Sequence, residues 1–305
     1  MLDAAKLATL REVVARGSFS AAAHALSLTQ PAVSRQVSLL ERQVGTQLVR
    51  RTQRGALPTE AGRVAVAHAE AVLGRLALAE QDLAELAGLR RGHVRVGHFF
   101  TAFALLAPEI VARMGAARPG LTMEHELVDR ATALQRLAAG QLDIAVVFEH
   151  GFAPQPAADD VELVTLFEDP VRVLLPAGHP KARRRRLRAE DLRNDTWVRA
   201  HEGPAARLVD LALRGLAPPP GVLAAGHGDE PVESQVFVAA GRGVTLAYDL
   251  NVIVNREGIA VRAFAGDVPP RLVQAAIMRG QRAPAPRAVL DGLREVGRAR
   301  AQPNR

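Results

Sequence analysis

Apolar residues recur at helical spacing at the start of the chain, where the segment LDAAKLATLREVVARGS places Leu7, Leu10 and Val14 on one stripe. Asp3 stands before this stripe as an expected N-cap, because its carboxylate can accept the free N–H groups of the first turn. Gly17 follows the stripe and is expected to end the helix in a left-handed conformation. The pattern therefore predicts a first helix between Asp3 and Gly17.

Two further helices are predicted directly after it. Ser20 is expected to cap the segment AAAHALS, whose alanines favour a helix packed closely against a neighbour. Thr29 is expected to cap the next helix, in which Pro31 is tolerated because the N–H groups of the first turn have no partner to lose. Only the letters SLT separate the two helices, a turn short enough to fix a steep crossing. The buried stripe of the third helix is expected to be Val33, Val37 and Leu40.

The opposite face of the third helix is mostly polar. At about 100° per residue, Arg35 lies at its centre, with Ser34 and Gln36 at its flanks. The same face includes Pro31, Ala32, Ser38 and Leu39. This face is predicted to point away from the core.

The next segment predicts a two-stranded wing and then a long helix. Leu48 and Val49 lead into three arginines, and Gly55 is expected at the tip of the hairpin. The helix is expected to run from Thr59 to about Leu89. Its apolar seam, spaced 4, 3, 4 and 3, consists of Val72, Leu76, Ala79, Leu83 and Leu86. Such a seam favours a homodimer paired through this helix, and a helix lying on its own domain is the alternative.

Strand and helix patterns alternate beyond Arg90 and Arg91. The segments HVRVG, LTMEHELV and LDIAVVF are predicted strands, with helices between them. A second unit of the same kind begins at VELVTLFEDPVRVLLP and ends at GVTLAY, and the strand RLVQAAIM and a helix at 286–299 close the chain. This order of elements predicts mostly parallel sheets with right-handed crossovers.

Composition narrows the class of protein. The chain of 305 residues is long enough for about two domains, and it lacks cysteine, which excludes disulfides and thiolate zinc sites. Neither a signal peptide nor a run of about 18 apolar residues is evident, so we expect a cytoplasmic protein without membrane association. The net charge is +7, and +5 of it falls in residues 1–65. Charge concentrated at one end favours a polyanionic partner for that end.

The segment SFSAAAHALSLTQPAVSRQVSLLERQVGTQLVRR, followed by LPTEAG, resembles the winged helix-turn-helix of LysR-type transcriptional regulators. The segments GHVRVG, LAAGQLDIAVV, LPAGHP and VAAGRGVTLA resemble their effector domain. The resemblance implies an all-α winged helix-turn-helix domain over 1–59, a linker (dimerisation) helix over 60–89 and an α/β effector domain over 90–305. It also implies two periplasmic-binding-protein-like subdomains, with subdomain I at about 90–165 and 270–305 and subdomain II at about 166–269.

As the resemblance implies, such a protein is a regulator that binds double-stranded promoter DNA and a small-molecule effector. It implies a homodimer paired through the linker helix, usually assembled into a homotetramer, and RNA polymerase is a further candidate partner. No cofactor and no enzymatic activity are expected. Two alternatives stay open: a nucleoid-type DNA-binding protein without effector sensing, and an α/β enzyme, for which no nucleophile elbow or phosphate loop is found.

Sequence choice on DNA is expected from the helix that begins at Gln30, because a helix fits the major groove and its N-terminal side chains meet base edges. Arg35 can form a bidentate pair with guanine, Gln30 can pair with adenine, and Ser34 can contact either base. Arginines of the wing are expected to bind phosphates, and by resemblance Arg54 reaches the minor groove. The predicted DNA-binding residues are Thr29, Gln30, Pro31, Ala32, Ser34, Arg35, Ser38, Arg51 and Arg54.

An effector site is expected at the carboxyl ends of the strands, where helix N-termini offer free N–H groups. The residues predicted to line it are Phe100, Thr101, Arg130, Arg199 and His201, and the loop GHGDEP is expected nearby. Arg130 and Arg199 favour an anionic effector such as a carboxylate. The alternative is that these arginines are solvated in their loops.

Two further motifs receive a structural interpretation. The run Arg183–Arg186 could form an extra patch for nucleic acid, but a solvated loop is the favoured interpretation. The segment HGDE from His227 contains metal-ligating residue types that follow one another in a loop without a second cluster. No metal site is therefore expected.

Overall fold

The computed structural model describes residues 1–52, 55–87, 92–155, 159–217, 221–225, 232–252 and 258–301. These residues form a helical unit with a small hairpin, a long helix, and two α/β units built on separate sheets. The fold class that the sequence predicts is confirmed. None of the described helices combines the length and the apolar composition that a bilayer-spanning helix requires.

The N-terminal unit consists of three helices and a hairpin that share one core. They are α1 (Ala4–Arg16), α2 (Phe19–Ala25), α3 (Gln30–Val44), β1 (Val49–Thr52) and β2 (Gly55–Pro58). The predicted stripe of α3 is buried in this core. On α1, Val13 is fully buried where the sequence pattern favoured Val14.

The caps of these helices follow the predicted chemistry at two of three positions. Asp3 Oδ1 accepts a hydrogen bond from the N–H of Ala5 at 2.8 Å, and Thr29 Oγ1 caps α3. The predicted cap of α2 at Ser20 is wrong. Ser18 has the extended backbone of a cap and accepts from the N–H of Ala21 at 3.3 Å, because Phe19 already belongs to the helix.

The wing depends on a close backbone approach. The N–H of Ala56 donates to the carbonyl of Gly17 at 2.7 Å, which holds β2 against the end of α1. Gly55 has φ +131°, and a Cβ there would lie 2.3 Å from the oxygen of Gly17. Only glycine suits this position, because both the backbone conformation and the space exclude a side chain.

The long helix α4 (Glu60–Leu86) connects the N-terminal unit to the α/β units. Three residues of its apolar seam are uncovered in the single chain, where Val72, Leu76 and Leu83 are 45%, 47% and 67% exposed. On another face, Gly74 approaches the backbone of Ala139 so closely that a Cβ would lie 2.3 Å from its carbonyl carbon. The helix therefore contacts the first α/β unit without burying its seam.

The first α/β unit contains a five-stranded sheet in the order β4-β3-β5-β13-β6. Its strands are β3 (His93–His98), β4 (Thr122–Leu127), β5 (Ile144–His150), β6 (Val161–Asp169) and β13 (Arg271–Met278). Its helices are α5 (Phe100–Leu105), α6 (Ala107–Ala117), α7 (Arg130–Ala138) and α10 (Pro284–Ala301). β6 stays in this sheet to Asp169, beyond the predicted start of subdomain II at 166.

The second α/β unit contains a four-stranded sheet in the order β11-β7-β12-β8 and a separate pair, β9 with β10. The strands are β7 (Val171–Pro176), β8 (Arg186–Leu187), β9 (Trp197–Arg199), β10 (Val222–Ala224), β11 (Thr245–Tyr248) and β12 (Ile259–Phe264). The helices are α8 (Gly203–Leu213) and α9 (Val232–Ala239), with 3-10 turns at Glu190–Leu192 and Asp249–Asn251.

The prediction of mostly parallel sheets holds only for part of the molecule. β3 pairs in parallel with β4 and β5, as the βαβαβ pattern requires. β13 pairs antiparallel with both β5 and β6, and β7 pairs antiparallel with both β11 and β12. The reason is that the chain crosses between the units twice, so that strands enter each sheet from the other unit rather than through a crossover helix.

Candidate functional site

The N-terminal half of α3 presents its polar face to solvent. Thr29, Gln30, Pro31, Arg35 and Ser38 are exposed, and Ala32 and Ser34 are half-buried. Arg35 is exposed, and its guanidinium has no hydrogen-bond or ionic partner within the described residues. Gln36, at the flank of this face, instead accepts a hydrogen bond from the hydroxyl of Thr9 on α1.

One arginine of the wing is held against α3. The guanidinium of Arg51 donates to the hydroxyl of Ser34 and lies 4.4 Å from the centre of the Phe19 ring. The wing and α3 therefore form one continuous surface, with a cation fixed at their junction. Arg54, the predicted minor-groove residue, lies outside the described residues.

A cavity of about 440 Å³ lies between the two α/β units, at the carboxyl ends of β3, β4 and β5. Pro204, at the start of α8, is the residue that the second unit contributes. The lining residues are Phe99, Phe100, Leu127, Val128, Asp129, Arg130, Phe148, Glu149, His150, Gln155 and Pro204. This is the edge of the sheet at which the sequence predicts a ligand, and we call it the cleft.

Aromatic rings dominate one wall of the cleft. The Phe99 and Phe148 rings meet edge to face at 4.8 Å, and the His150 ring lies 5.2 Å from that of Phe148. Burial, together with the charge of Arg271, lowers the pKa of His150 to about 4. His150 is therefore neutral at pH 7. Its Nδ1 lies 3.1 Å from the hydroxyl of Tyr248, while its buried Nε2 has no partner in the described part of the chain.

Arg130 supplies the cation of the cleft. Its guanidinium donates to the carbonyl of Gln155 at 2.8 Å and approaches that of Phe148 at 3.5 Å. Burial lowers the pKa of Arg130, while the charge of Glu149 opposes this effect. Asp129 caps α7 by accepting from the N–H of Thr132 at 3.0 Å. The cleft thus combines one oriented cation and two carboxylates with an apolar ring surface.

The other predicted cleft residues lie in different surroundings. Thr101 is fully buried, and its hydroxyl accepts from Arg271 at 3.2 Å instead of facing the cavity. Arg199 forms an ion pair with Asp210 at 3.4 Å, and it does not line the cleft. His201 is exposed and is likewise absent from the lining. The loop GHGDEP lies outside the described residues. Among the residues that the structure describes, no cluster of metal-ligating side chains is found.

The sequence matches known protein families along most of its length. Residues 5–63 match the bacterial regulatory helix-turn-helix protein, lysR family, and residues 87–298 match the LysR substrate binding domain. The chain belongs to the LysR family. The resemblance noted in the sequence is thereby confirmed.

Relatives of this LysR-family protein are transcriptional regulators. It is 31% identical over 187 residues to a probable RuBisCO transcriptional regulator of Emiliania huxleyi, which covers 61% of this chain and 59% of that protein. It is 31% identical over 197 residues to the RuBisCO operon transcriptional regulator of Allochromatium vinosum, covering 64% and 63%. The chain thus spans less than two thirds of the length of these relatives. Both are named as transcriptional regulators, in agreement with the regulator that the sequence leads us to expect.

Solved structures of LysR-family regulators share the fold along the whole chain. A full-length OxyR variant from Pseudomonas aeruginosa has a TM-score of 0.70 at 24% identity, covering 98% of this chain and 95% of that one. CbnR, a LysR family transcriptional regulator, has a TM-score of 0.62 at 17% identity, covering 97% and 99%. At these identities the likeness concerns the fold alone.

Several cleft residues of this LysR-family protein were not predicted from the sequence. Phe148, Glu149 and His150 end a strand that was predicted, so the rule that pointed to Arg130 applies to them as well. Arg271 and Tyr248 are not in the lining but contact the lining residues Phe148 and His150. They come from strands far away along the chain, and no local signal marks them. Their positions depend on strand order, which the sequence pattern did not predict.

Proposed function

We propose that this LysR-family protein binds promoter DNA through α3 and the wing, as a dimer paired through α4, under the control of a small effector in the cleft. The division proposed from the sequence assigns 1–59 to DNA binding, 60–89 to pairing and 90–305 to sensing. The observation that carries the proposal is the solvent-facing N-terminal half of α3, where Arg35 stands without a partner in the described chain. A protein surface that leaves several donors unpaired in one exposed patch suits base edges.

DNA binding is tested with the region upstream of the protein's own gene, and with a RuBisCO operon promoter, because two relatives are named as regulators of RuBisCO. Arg35→Ala is expected to weaken specific binding by about 1–3 kcal/mol and random duplex binding much less. Arg42→Ala, at the exposed far end of α3, is the matched control. Equal losses for both DNAs would favour the nucleoid-type alternative.

For the effector, we infer a compact ligand with an anionic group and a planar apolar body. The anionic group is inferred from Arg130, and the apolar body from the rings of Phe99, Phe100 and Phe148. The partnerless Nε2 of His150 suggests one hydrogen bond to the ligand. Benzoate and succinate, used as aromatic and aliphatic probes, are expected to raise the melting temperature unequally, benzoate more. Arg130→Met should abolish the shift, whereas Arg118→Met on the exposed end of α6 should preserve it.

Effector binding regulates only if it favours one arrangement of the assembly over another. We propose that closure of the two α/β units changes the angle between paired α4 helices, and with it the spacing of the DNA half-sites. A DNase footprint on the bound promoter is expected to change its length or its hypersensitive positions when the effector is added. An identical footprint would contradict this mechanism without contradicting DNA binding.

A further inference from the structure

A second cavity, of about 430 Å³, lies on the other α/β unit and has a different chemistry from the cleft. Four arginines line it, together with one carboxylate and two apolar residues: Arg172, Arg183, Arg185, Asp249, Val261, Arg262 and Ala263. These arginines come from β7, from the segment before β8 and from β12. We propose that this cavity binds a small polyanion that carries two or more phosphate groups. The proposal goes beyond the effector cleft, which lies elsewhere.

The segment with the four consecutive arginines is anchored at both ends. Ala182 and Leu187 are buried in the core of the second α/β unit. Between them, β8 pairs with β12, and the N–H of Ala263 donates to the carbonyl of Arg185 at 3.3 Å. The segment is therefore held beside β12 by its backbone, while all four arginines stay exposed, as the solvated loop favoured from the sequence requires.

The cations of the cavity are oriented differently. Arg262 donates through Nε to the carbonyl of Ala182 and through Nη1 to that of Val261, which fixes its guanidinium. Its Nη2 has no partner among the described residues and can donate to a ligand. Arg172 donates to Asp249 at 2.6 Å. Arg183 and Arg185 have no side-chain partner in the described chain. Two positioned cations and two unpaired cations thus share one cavity.

The charge balance indicates the class of ligand. Four guanidinium groups face the single carboxylate of Asp249, so three positive charges remain without an opposite charge in the lining. Guanidinium groups bind phosphate oxygens with two parallel hydrogen bonds, and each phosphate brings up to about two negative charges. The four arginines border one small cavity that is open to solvent, so a compact anion can contact several of them at once.

The test uses pyrophosphate as the probe and the full-length protein, at an ionic strength kept constant with sodium acetate. The double variant Arg183→Gln, Arg185→Gln is expected to weaken pyrophosphate binding by at least about tenfold, measured by titration calorimetry. The double variant Arg193→Gln, Arg214→Gln removes the same charge from exposed positions of the same unit outside the cavity. It should change the affinity by less than about twofold.

Three outcomes would overturn the proposal. The wild-type protein does not bind pyrophosphate, or both double variants lose affinity equally, which would indicate general charge screening. In the third, the variant at Arg183 and Arg185 loses affinity for random duplex DNA as strongly as for pyrophosphate, which would make the cavity part of a nucleic-acid surface. If that variant shows a lower unfolding midpoint, the single variant Arg183→Gln replaces it, with an expected loss of at least about threefold.

Discussion

The guanidinium of Arg271 donates to the carboxylate of Asp169 across 2.7 Å, and each side chain is only 1% exposed. The two residues pair in register at the ends of β13 and β6, where the chain crosses between the two α/β units. Asp169 also accepts from the N–H of Leu250 at 3.0 Å, and Arg271 contacts Thr101. The Arg271 guanidinium also lies 5.1 Å and 4.8 Å from the ring centres of Phe99 and Phe148, which line the cleft. One buried ion pair therefore connects both crossings and the wall of the cleft.

Breaking this ion pair should be costly. Asp169→Asn and Arg271→Met are each expected to lower the free energy of unfolding by about 3–5 kcal/mol, because the remaining partner is left buried and unpaired. Urea denaturation measures the change. The control is Arg113→Met, which breaks the exposed pair with Glu295 and should cost less than about 1 kcal/mol. Similar losses for buried and exposed pairs would contradict the assignment.

Two buried histidines should make stability depend on pH. Burial, together with the neighbouring His125, lowers the pKa of His98 to about 3. The pKa of His150 is about 4 for the reasons given above. In the unfolded chain a histidine takes up its proton near pH 6.5, so the unfolded state binds more protons at lower pH. Stability is therefore complete above about pH 6.5 and falls as the pH decreases towards 4.

The slope of the free energy of unfolding against pH measures this effect. Each histidine contributes up to about 1.4 kcal/mol per pH unit within this window, so His98→Gln should give a shallower dependence than the wild-type chain. The double variant with His150→Gln should be shallower still. Unfolding curves in urea from pH 7 to pH 4.5 give the free energy of unfolding as a function of pH for the wild type and both variants. If the three pH profiles were parallel, other groups would control the acid response.

The contact between α4 and α7 should tolerate no side chain. Gly74→Ala would place a Cβ 2.3 Å from the carbonyl carbon of Ala139. The nearest atoms that this Cβ would meet, in Ala138 and Ala139, all belong to the backbone, which cannot easily move away. We expect a loss of about 1–3 kcal/mol in the free energy of unfolding. Gly115 on α6 provides the matched control, because a Cβ there meets nothing within 4 Å. Gly115→Ala should stabilise the protein by about 0.5–1 kcal/mol. If both substitutions changed the free energy of unfolding in the same direction, the close contact at Gly74 would be excluded.

The proposed dimer depends on the seam of α4. Leu76→Glu places a charge on this seam and is expected to convert the dimer into monomers, because a buried, unpaired carboxylate is unfavourable. Light scattering coupled to size exclusion measures the mass. Ala77→Glu adds the same charge at an exposed position off the seam and should leave the mass unchanged. A dimer that survives Leu76→Glu and Leu83→Glu together would place the interface elsewhere.

The local parts of the fold could be predicted because their causes lie within a few residues. The cap at Thr29, the buried stripe of α3 and the left-handed end at Gly17 all follow from neighbouring side chains and backbone conformation. The predicted cap of α2 at Ser20 was wrong by two positions. A helix that begins anywhere within the same turn satisfies nearly the same sequence pattern. Arg130 was placed at the cleft because strand ends in such sheets lie together.

The sequence by itself determined the helical periodicities, the winged helix-turn-helix and the sheet edge at which the cleft lies. The tertiary structure alone decided which distant residues meet. It brought Arg271 to Asp169 through an antiparallel strand, and Arg172 and Arg262 to the arginines before β8. Periodicity along a chain specifies which face of an element is buried, whereas contacts between distant residues depend on strand order and register. Those are set only when the sheets pack.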